Sequence, residues 1–260
     1  MRVISWNINS VRLRLPLAQR LLQETDADVL CLQETKALPD QFPTEGFNEI
    51  GFTHQVVRGR KAYNGVAIVS RVPIEETNSR DFCGREDARH VAVSVDGQFE
   101  LHNFYVPAGG DIPDRDENEK FDHKLNFLDE MTDWLSSMSS DKPMMMLGDL
   151  NIAPLETDVW SHKQLLKVVS HTPIEVEALD KVQASLDWRD AVREVIPPEE
   201  TLFSWWSYRS KDWRASNRGR RLDHIWVTPG FKSEITGASV YDQARDWEKC
   251  SDHAPVVLDF

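Results

Sequence analysis

Cysteine is scarce in this chain. Its 260 residues include only Cys31, Cys83 and Cys250, an odd number set far apart with no CxxC pair. That excludes a disulfide framework and a thiolate zinc site, and fits a reducing compartment. Long hydrophobic runs are also lacking. None approaches the roughly 20 residues of a membrane-spanning helix, so no membrane partner is expected. The opening MRVISWNINS has neither the apolar core nor the small-residue tail of a secretory leader, and a cytoplasmic location is the expectation. There is no Gly/Ser-rich linker and no internal repeat, which points to one domain over residues 1–260. Positive charge is in deficit: 30 Lys and Arg face 43 Asp and Glu, a net charge of −13. Such a surface repels phosphate and at first counts against a nucleic-acid partner.

What is present is an ordinary soluble composition, 40% hydrophobic and 28% charged, with enough length to bury a sizeable core. Short strand-like runs spread from end to end: RVISWNI, DVLCLQE, GVAIVSR, HVAVSVD, FELHNFYV, PMMMLGD, RRLDHIWVT and APVVLDF. Helical stripes lie between some of them. Leu17, Leu21 and Leu22 form one, with Pro16 in a first turn that tolerates it. Phe121, Leu125, Leu128 and Leu135 form another, within a helix over 117–138. Thr172, Pro173 and Glu175 read as a capping box. Several strands follow one another without a helix, as at the hairpin expected at Asp96-Gly97. The pattern is therefore α/β (α+β), with mixed sheets covered by helices, rather than a simple βαβ repeat. Pro107–Asp116 and Asp212–Gly219 read as loops.

The acidic average hides a local exception. Arg209, Lys211, Arg214, Arg218, Arg220 and Arg221 face one acid, Asp212, for a local charge of +5, with Trp205, Trp206, Tyr208 and Trp213 alongside. A charge run is commonly a solvated face. Aromatics interleaved with arginines favour nucleic acid, because stacking and phosphate pairing then come together.

Polar residues collect at the ends of the strands. The run MMMLGDLNIAP ends in a carboxylate and an amide one residue apart, Asp149 and Asn151, which strand alternation would turn to the same face. Asn7, Glu34 and Tyr105 close three other runs, Asp223 interrupts RRLDHIWVT, and Asp252 and His253 open the last. Singly, each has a plain structural explanation: Asn7 and Asn151 as turn residues, Glu34 as a solvated acid, Tyr105 as a core aromatic. Asp223 within an apolar strand needs a partner, and His253 is the natural one. Gathered on one rim, these oxygens would suit Mg²⁺ or Mn²⁺ rather than zinc.

SWNINSVR, LQETK, NGVAIVSR, NFYVP, GDLNIAP, FSWWSYRS, NRGRRLDHIWVTP and CSDHAPVVLDF occur in the order and spacing of the exonuclease III family. This is the bacterial class II abasic-site endonuclease type of the endonuclease/exonuclease/phosphatase superfamily, which the chain resembles from its first strand to its last residue. The resemblance implies a DNase I-like four-layer sandwich of two packed mixed sheets flanked by helices. It also implies a Mg²⁺-dependent nuclease, with Mn²⁺ able to substitute. Such an enzyme cuts double-stranded DNA 5′ to abasic sites to leave a 3′-hydroxyl, trims 3′ ends and cleans them of blocking groups, acting as a monomer. Glu34 would be the principal metal ligand with Asn7 and Asp252, and Asp149, Asn151 and His253 would lie within reach of the ion. Asp149 would handle the attacking water, Asn151 would hold the phosphate, and Asp223 would pair with His253. Proton handling falls jointly to Asp149, Tyr105 and His253. Trp205 and Leu222 would line a pocket for an extruded abasic sugar, with Trp206, Arg209, Trp213, Arg218 and Arg221 against the duplex.

Three positions depart from the family pattern: Ser10 where glycine is common, Ala108 where a polar residue follows YVP, and Arg220 where relatives carry a large apolar residue. These bear on the balance of activities rather than on the chemistry. A small-molecule phosphoesterase of the same superfamily is the alternative, against which the Arg/Trp segment speaks.

Overall fold

The computed structural model describes residues 1–210 and 212–260, so Lys211 of the basic segment lies outside the described residues. The strands, in chain order, are β1 (Arg2–Asn7), β2 (Val29–Gln33), β3 (His54–Arg58), β4 (Val66–Ser70), β5 (Ile74–Glu76), β6 (His90–Val95) and β7 (Phe99–Tyr105). They continue with β8 (Met144–Asp149), β9 (Arg189–Asp190), β10 (Trp205–Trp206), β11 (Gly219–Arg220), β12 (Asp223–Val227), β13 (Gly237–Val240) and β14 (Val256–Asp259). The helices are α1 (Val11–Thr25), α2 (Thr44–Asn48), α3 (Glu119–Ser136), α4 (His162–Leu165), α5 (Pro173–Ala184), α6 (Ala191–Val195) and α7 (Trp213–Ser216). Among the described residues no helix is long and apolar enough to cross a membrane.

One sheet has the order β13-β14-β1-β2-β4-β3 and the other β5-β6-β7-β8-β12-β9, with β10 and β11 forming a separate ribbon. β1 and β2 run parallel, as do β7 and β8, and α1 and α3 make the crossovers. The other pairs shown here are antiparallel, so both sheets are mixed. Side-chain alternation builds the layers. Val3, Cys31, Val91, Leu101, Met145, Leu147 and Ile225 share one core cluster drawn from both sheets. Ile4, Trp6 and Leu30 cluster instead with Leu21 and Leu22 of α1. Met144 and Met146 cluster with Phe121, Leu125 and Leu128 of α3 and Leu179 and Val182 of α5. The methionine run is thus apolar throughout because both faces of β8 are covered. Helix, sheet, sheet, helix is the expected four-layer order.

A polar tie crosses the inner layer. Asn103 of β7 donates through Nδ2 to the carbonyls of Leu32 and Ala67, both at 3.0 Å, and Gln33 Nε2 donates to its Oδ1 at 2.8 Å. At the end of β8 the two sheet neighbours come very close. A Cβ on Gly148 would lie 1.9 Å from the Phe104 carbonyl oxygen, so only glycine fits.

The hairpin at Asp96-Gly97 is present, with both residues at positive φ and Val95 paired with Phe99. So is the capping box, in which Glu175 Oε2 accepts from Thr172 N at 3.2 Å. Pro16 falls just after a kink at Arg14, which makes it a first-turn residue inside α1. Two expectations need correction. RRLDHIWVT is not one strand: Gly219 and Arg220 pair with β10, and β12 begins at Asp223. Asp212–Gly219 is not all loop, because Asp212 Oδ1 accepts from Ala215 N at 2.9 Å and caps the single turn of α7.

Candidate active site

The strand-end residues meet on one rim. β7 and β8 end in register at Tyr105 and Asp149, and β12, running the other way, begins opposite Asp149 at Asp223. Asn7 ends β1 in the other sheet and bridges the two. Its Nδ2 donates to Asp149 Oδ2 at 2.8 Å and to Glu34 Oε1 at 3.0 Å. The Tyr105 hydroxyl donates to the same Glu34 oxygen at 2.9 Å. His253 Nδ1 lies 2.9 Å from Asp223 Oδ2, and its Nε2 lies 3.6 Å from Asp149 Oδ2. Asp252 accepts from Trp205 Nε1 at 3.0 Å and from Asn9 Nδ2 at 3.2 Å.

Strand alternation does not explain the Asp149–Asn151 pair. The strand ends at Asp149, and Asn151 has a left-handed backbone, φ 56. The two are held together because Asn151 N donates to Asp149 Oδ1 at 3.0 Å, while Asn151 Nδ2 donates to the Val106 carbonyl at 2.9 Å. Glu34, Asn9, Lys36 and Ser10 also carry positive φ. A non-glycine residue there costs energy, and such residues concentrate at functional sites. Ser10, at φ 90, occupies a conformation that favours glycine.

Electrostatics divide the rim. Burial works to raise the Glu34 carboxyl, but hydrogen bonds from Lys36 and Asn7 outweigh it and hold the pKa below the ordinary value. Asp252 is likewise lowered, burial being overcome by the His253 charge and the Trp205 indole. Asp149 goes the other way. Its burial dominates over the opposing His253 cation and raises it to about 7. Burial would depress His253, yet Asp223, Asp149 and Asp252 together carry it up to about 10. Burial and the neighbouring Glu34 and Asp149 push the Tyr105 hydroxyl well above its usual value, so it is a phenol donor.

Asp149, Asp223 and His253 also lie close enough to hold an ion. With its pKa carried up by Asp223 and Asp149, the His253 imidazole is a hydrogen-bond donor here. Glu34 and Asp149 meet at Asn7 Nδ2 and offer a set of hard oxygens of the kind a divalent cation takes. Lys36 Nζ, 2.8 Å from Glu34 Oε2 and 2.6 Å from Asn9 Oδ1, holds that set in place.

The basic segment is less free than its composition suggests. Arg221 is buried and ion-paired with Asp158 at 2.8 Å and Asp190 at 2.7 Å, so it is a structural cation and not a duplex contact. Trp206 is also core, packed with Phe203 and Ala254. Trp213 packs against Trp206 at a tilt and donates to Asp246, which also neutralises Arg214. Trp205 and Leu222 do share one apolar cluster, with Ala153, Val159 and Leu165. Arg209 and Arg218 are exposed, Arg218 lying over the Trp160 ring.

Several residues escape sequence reasoning. A cavity of about 870 Å³ opens beside Tyr105, lined by Arg60, Lys61, Arg85, Arg89, Lys120 and the exposed Ala108, among others. These cations come from two loops and the start of α3, so no local run announced them. Lys124 is wholly buried and pairs with Glu175, and its Nζ donates to the Asn151 carbonyl at 2.8 Å. Ser204 Oγ donates to Asp223 Oδ2 at 2.6 Å. Only Asn9 and Lys36 had a sequence signal, Asn9 two residues from Asn7 in WNIN and Lys36 in LQETK.

Comparison with known proteins agrees with this geometry. Residues 4–253 match the profile of the endonuclease/exonuclease/phosphatase family. The chain is 29% identical to exodeoxyribonuclease III of Haemophilus influenzae, with all of both chains covered. An AP endonuclease structure from Archaeoglobus fulgidus superposes with a TM-score of 0.93 at 30% identity, covering 100% of this chain and 99% of that one. A 3′ phosphatase from Neisseria bound to a product DNA hairpin superposes at 0.91, with the same identity and coverage.

Proposed function

This chain belongs to the endonuclease/exonuclease/phosphatase family, and from that premise we propose that it is a DNA repair nuclease of the exonuclease III type, acting as one monomeric domain. It hydrolyses phosphodiesters in double-stranded DNA 5′ to abasic sites and at 3′ ends, leaving a 3′-hydroxyl, and clears blocked 3′ ends. The observation that carries the reading is the Asp149–His253–Asp223 cluster set against the hard oxygens of Glu34 and Asn7 on one rim.

Asp149, raised toward neutrality by burial, is suited to take a proton from the attacking water. The water oxygen bonds to phosphorus as the bond to the 3′ oxygen breaks, and that oxygen departs, takes a proton from solvent and becomes the 3′-hydroxyl. His253, charged and oriented by Asp223, donates to phosphate oxygen as charge develops there. Asn151 adds an amide N–H, with one hydrogen fixed by Val106. Tyr105 and Asn7 hold Glu34 in position. A divalent ion, Mg²⁺ or Mn²⁺ in its place, would be held by Glu34, Asn7 and Asp252 and would supply Lewis-acid stabilisation of the phosphate and the departing oxygen. The cavity beside Tyr105 and the exposed Arg209 and Arg218 offer cations to the strand on either side.

The test is a duplex with one abasic-site analogue beside an undamaged control, each incubated in Mg²⁺ and in EDTA. A Mg²⁺-dependent cut 5′ to the lesion with a 3′-hydroxyl is expected, and shortening of the control measures the accompanying exonuclease. No cleavage of either duplex by folded protein in Mg²⁺ would overturn the proposal.

A further inference from the structure

Arg220 and Arg221 are adjacent in sequence and opposite in circumstance. Arg221 has two carboxylates. Arg220, among the described residues, has no ion-pair partner. Its Nη1 donates to the Val169 carbonyl at 3.0 Å and to Ser170 Oγ at 2.7 Å, and its Nε is buried with no acceptor. The nearest opposing carboxylate in effect, Glu175, is already paired with Lys124. Burial lowers the Arg220 pKa, as expected for a cation without compensation. A half-buried unpaired charge is costly, and this one persists in a chain of net charge −13.

Its location says what could relieve it. The guanidinium lies over the Trp205 ring, 5.3 Å from the centroid. That indole donates to Asp252 Oδ2, and the Trp205 backbone pairs with His253. Below it are Leu222, Ala153, Val159 and Leu165. Trp205 thus stands between an uncompensated cation and the segment that carries Asp252 and His253. A group esterified to a phosphate held by His253 would have the indole as its path toward Arg220.

We infer that Arg220 receives an oxyanion carried by the group esterified to the scissile phosphate, and so favours substrates with negative charge at that point. This rests on the phosphodiesterase function proposed above. Two sources present that chemistry: the carboxylate of a 3′-phosphoglycolate end, and the next phosphate beyond an abasic sugar.

The experiment uses two pairs of duplexes, each matched in shape and differing in charge. One pair ends in 3′-phosphoglycolate or the neutral 3′-phosphoglycolamide. The other has an abasic analogue followed by a phosphodiester or a neutral methylphosphonate. kcat/KM is measured for the wild type, Arg220→Leu and Arg220→Lys. The wild type should prefer the anionic member of at least one pair by about tenfold or more, the scale of a hydrogen bond to a charged group. The preference should fall to near unity in Arg220→Leu and survive in part in Arg220→Lys. Because each ratio is internal to one variant, partial loss of folded protein cancels. The pair that responds identifies the source. No charge preference in the wild type, or the same preference in Arg220→Leu for both pairs, overturns the inference while cleavage itself upholds the nuclease reading. Failure of the wild type to cleave any of the four overturns both.

Discussion

Asp223 places Ser204 and His253 on one carboxylate oxygen and leaves the other buried without a partner. Its work is to orient and charge the imidazole, so Asp223→Ala should act on turnover. We expect kcat/KM for phosphodiester cleavage to fall on the order of 10²- to 10⁴-fold, the range of a lost general acid or its orienting group. DNA affinity, measured separately, should change far less, and equal losses in both would contradict the pairing. The raised pKa values of Asp149 and His253 set a pH profile. Cleavage should climb as Asp149 loses its proton near pH 7, and decline as His253 loses its own toward pH 10. A bound cation would move the acid limb down, so a limb well above 7 in Mg²⁺ would exclude Asp149 as the base. The linked stability has a definite sign. His253 binds its proton more tightly folded than unfolded, so its contribution is complete below about pH 6.5 and is lost as pH rises through about 10.

At the scale of elements, the turn after β8 depends on a buried ion pair between α3 and α5. Lys124→Met would remove the cation paired with the buried Glu175, and a loss of about 3–5 kcal/mol is expected from denaturant unfolding. The double change Lys124→Met/Glu175→Leu should recover part of it, and a double variant as unstable as the single would refute the explanation. The elements were largely legible because strand periodicity is local: Val3 with Cys31 and Ile4 with Trp6 sort to opposite faces as alternation requires. What was not legible depends on partners remote in sequence. RRLDHIWVT reads as one strand until Trp205 pairs with its first residue, Arg220, and Trp206 with Gly219 before it. Arg221 reads as part of a basic patch until Asp158 and Asp190 neutralise it. At the site, each polar strand end was visible, and their convergence was not, since it depends on Asn7 reaching across from one sheet to Asp149 in the other.

Over the whole molecule, charge is segregated rather than averaged. Binding of phosphate should follow the cavity beside Tyr105 more than the Arg/Trp segment. Neutralising Arg60, Lys61 and Lys120 to glutamine should flatten the dependence of log affinity on log salt, by about 0.9 for each phosphate of duplex DNA that is no longer neutralised. Arg221→Gln should instead lower stability and leave the slope of the folded protein unaltered. A slope that ignores the triple change would remove the cavity from the interface.

The Asn103 tie has a consequence for how damage to this protein would show itself. Asn7 belongs to one sheet and Glu34 directly follows a strand of it, Asp149, Tyr105 and Asp223 belong to the other, and Asn103 with Gln33 pins the layers beneath them. The catalytic rim therefore works like a vernier, two scales read against each other. Slippage of a few tenths of an ångström would separate Asn7 from Asp149 while leaving the apolar layers buried and the chain folded. Catalytic rate is then a finer gauge of how the sheets are aligned than any melting curve.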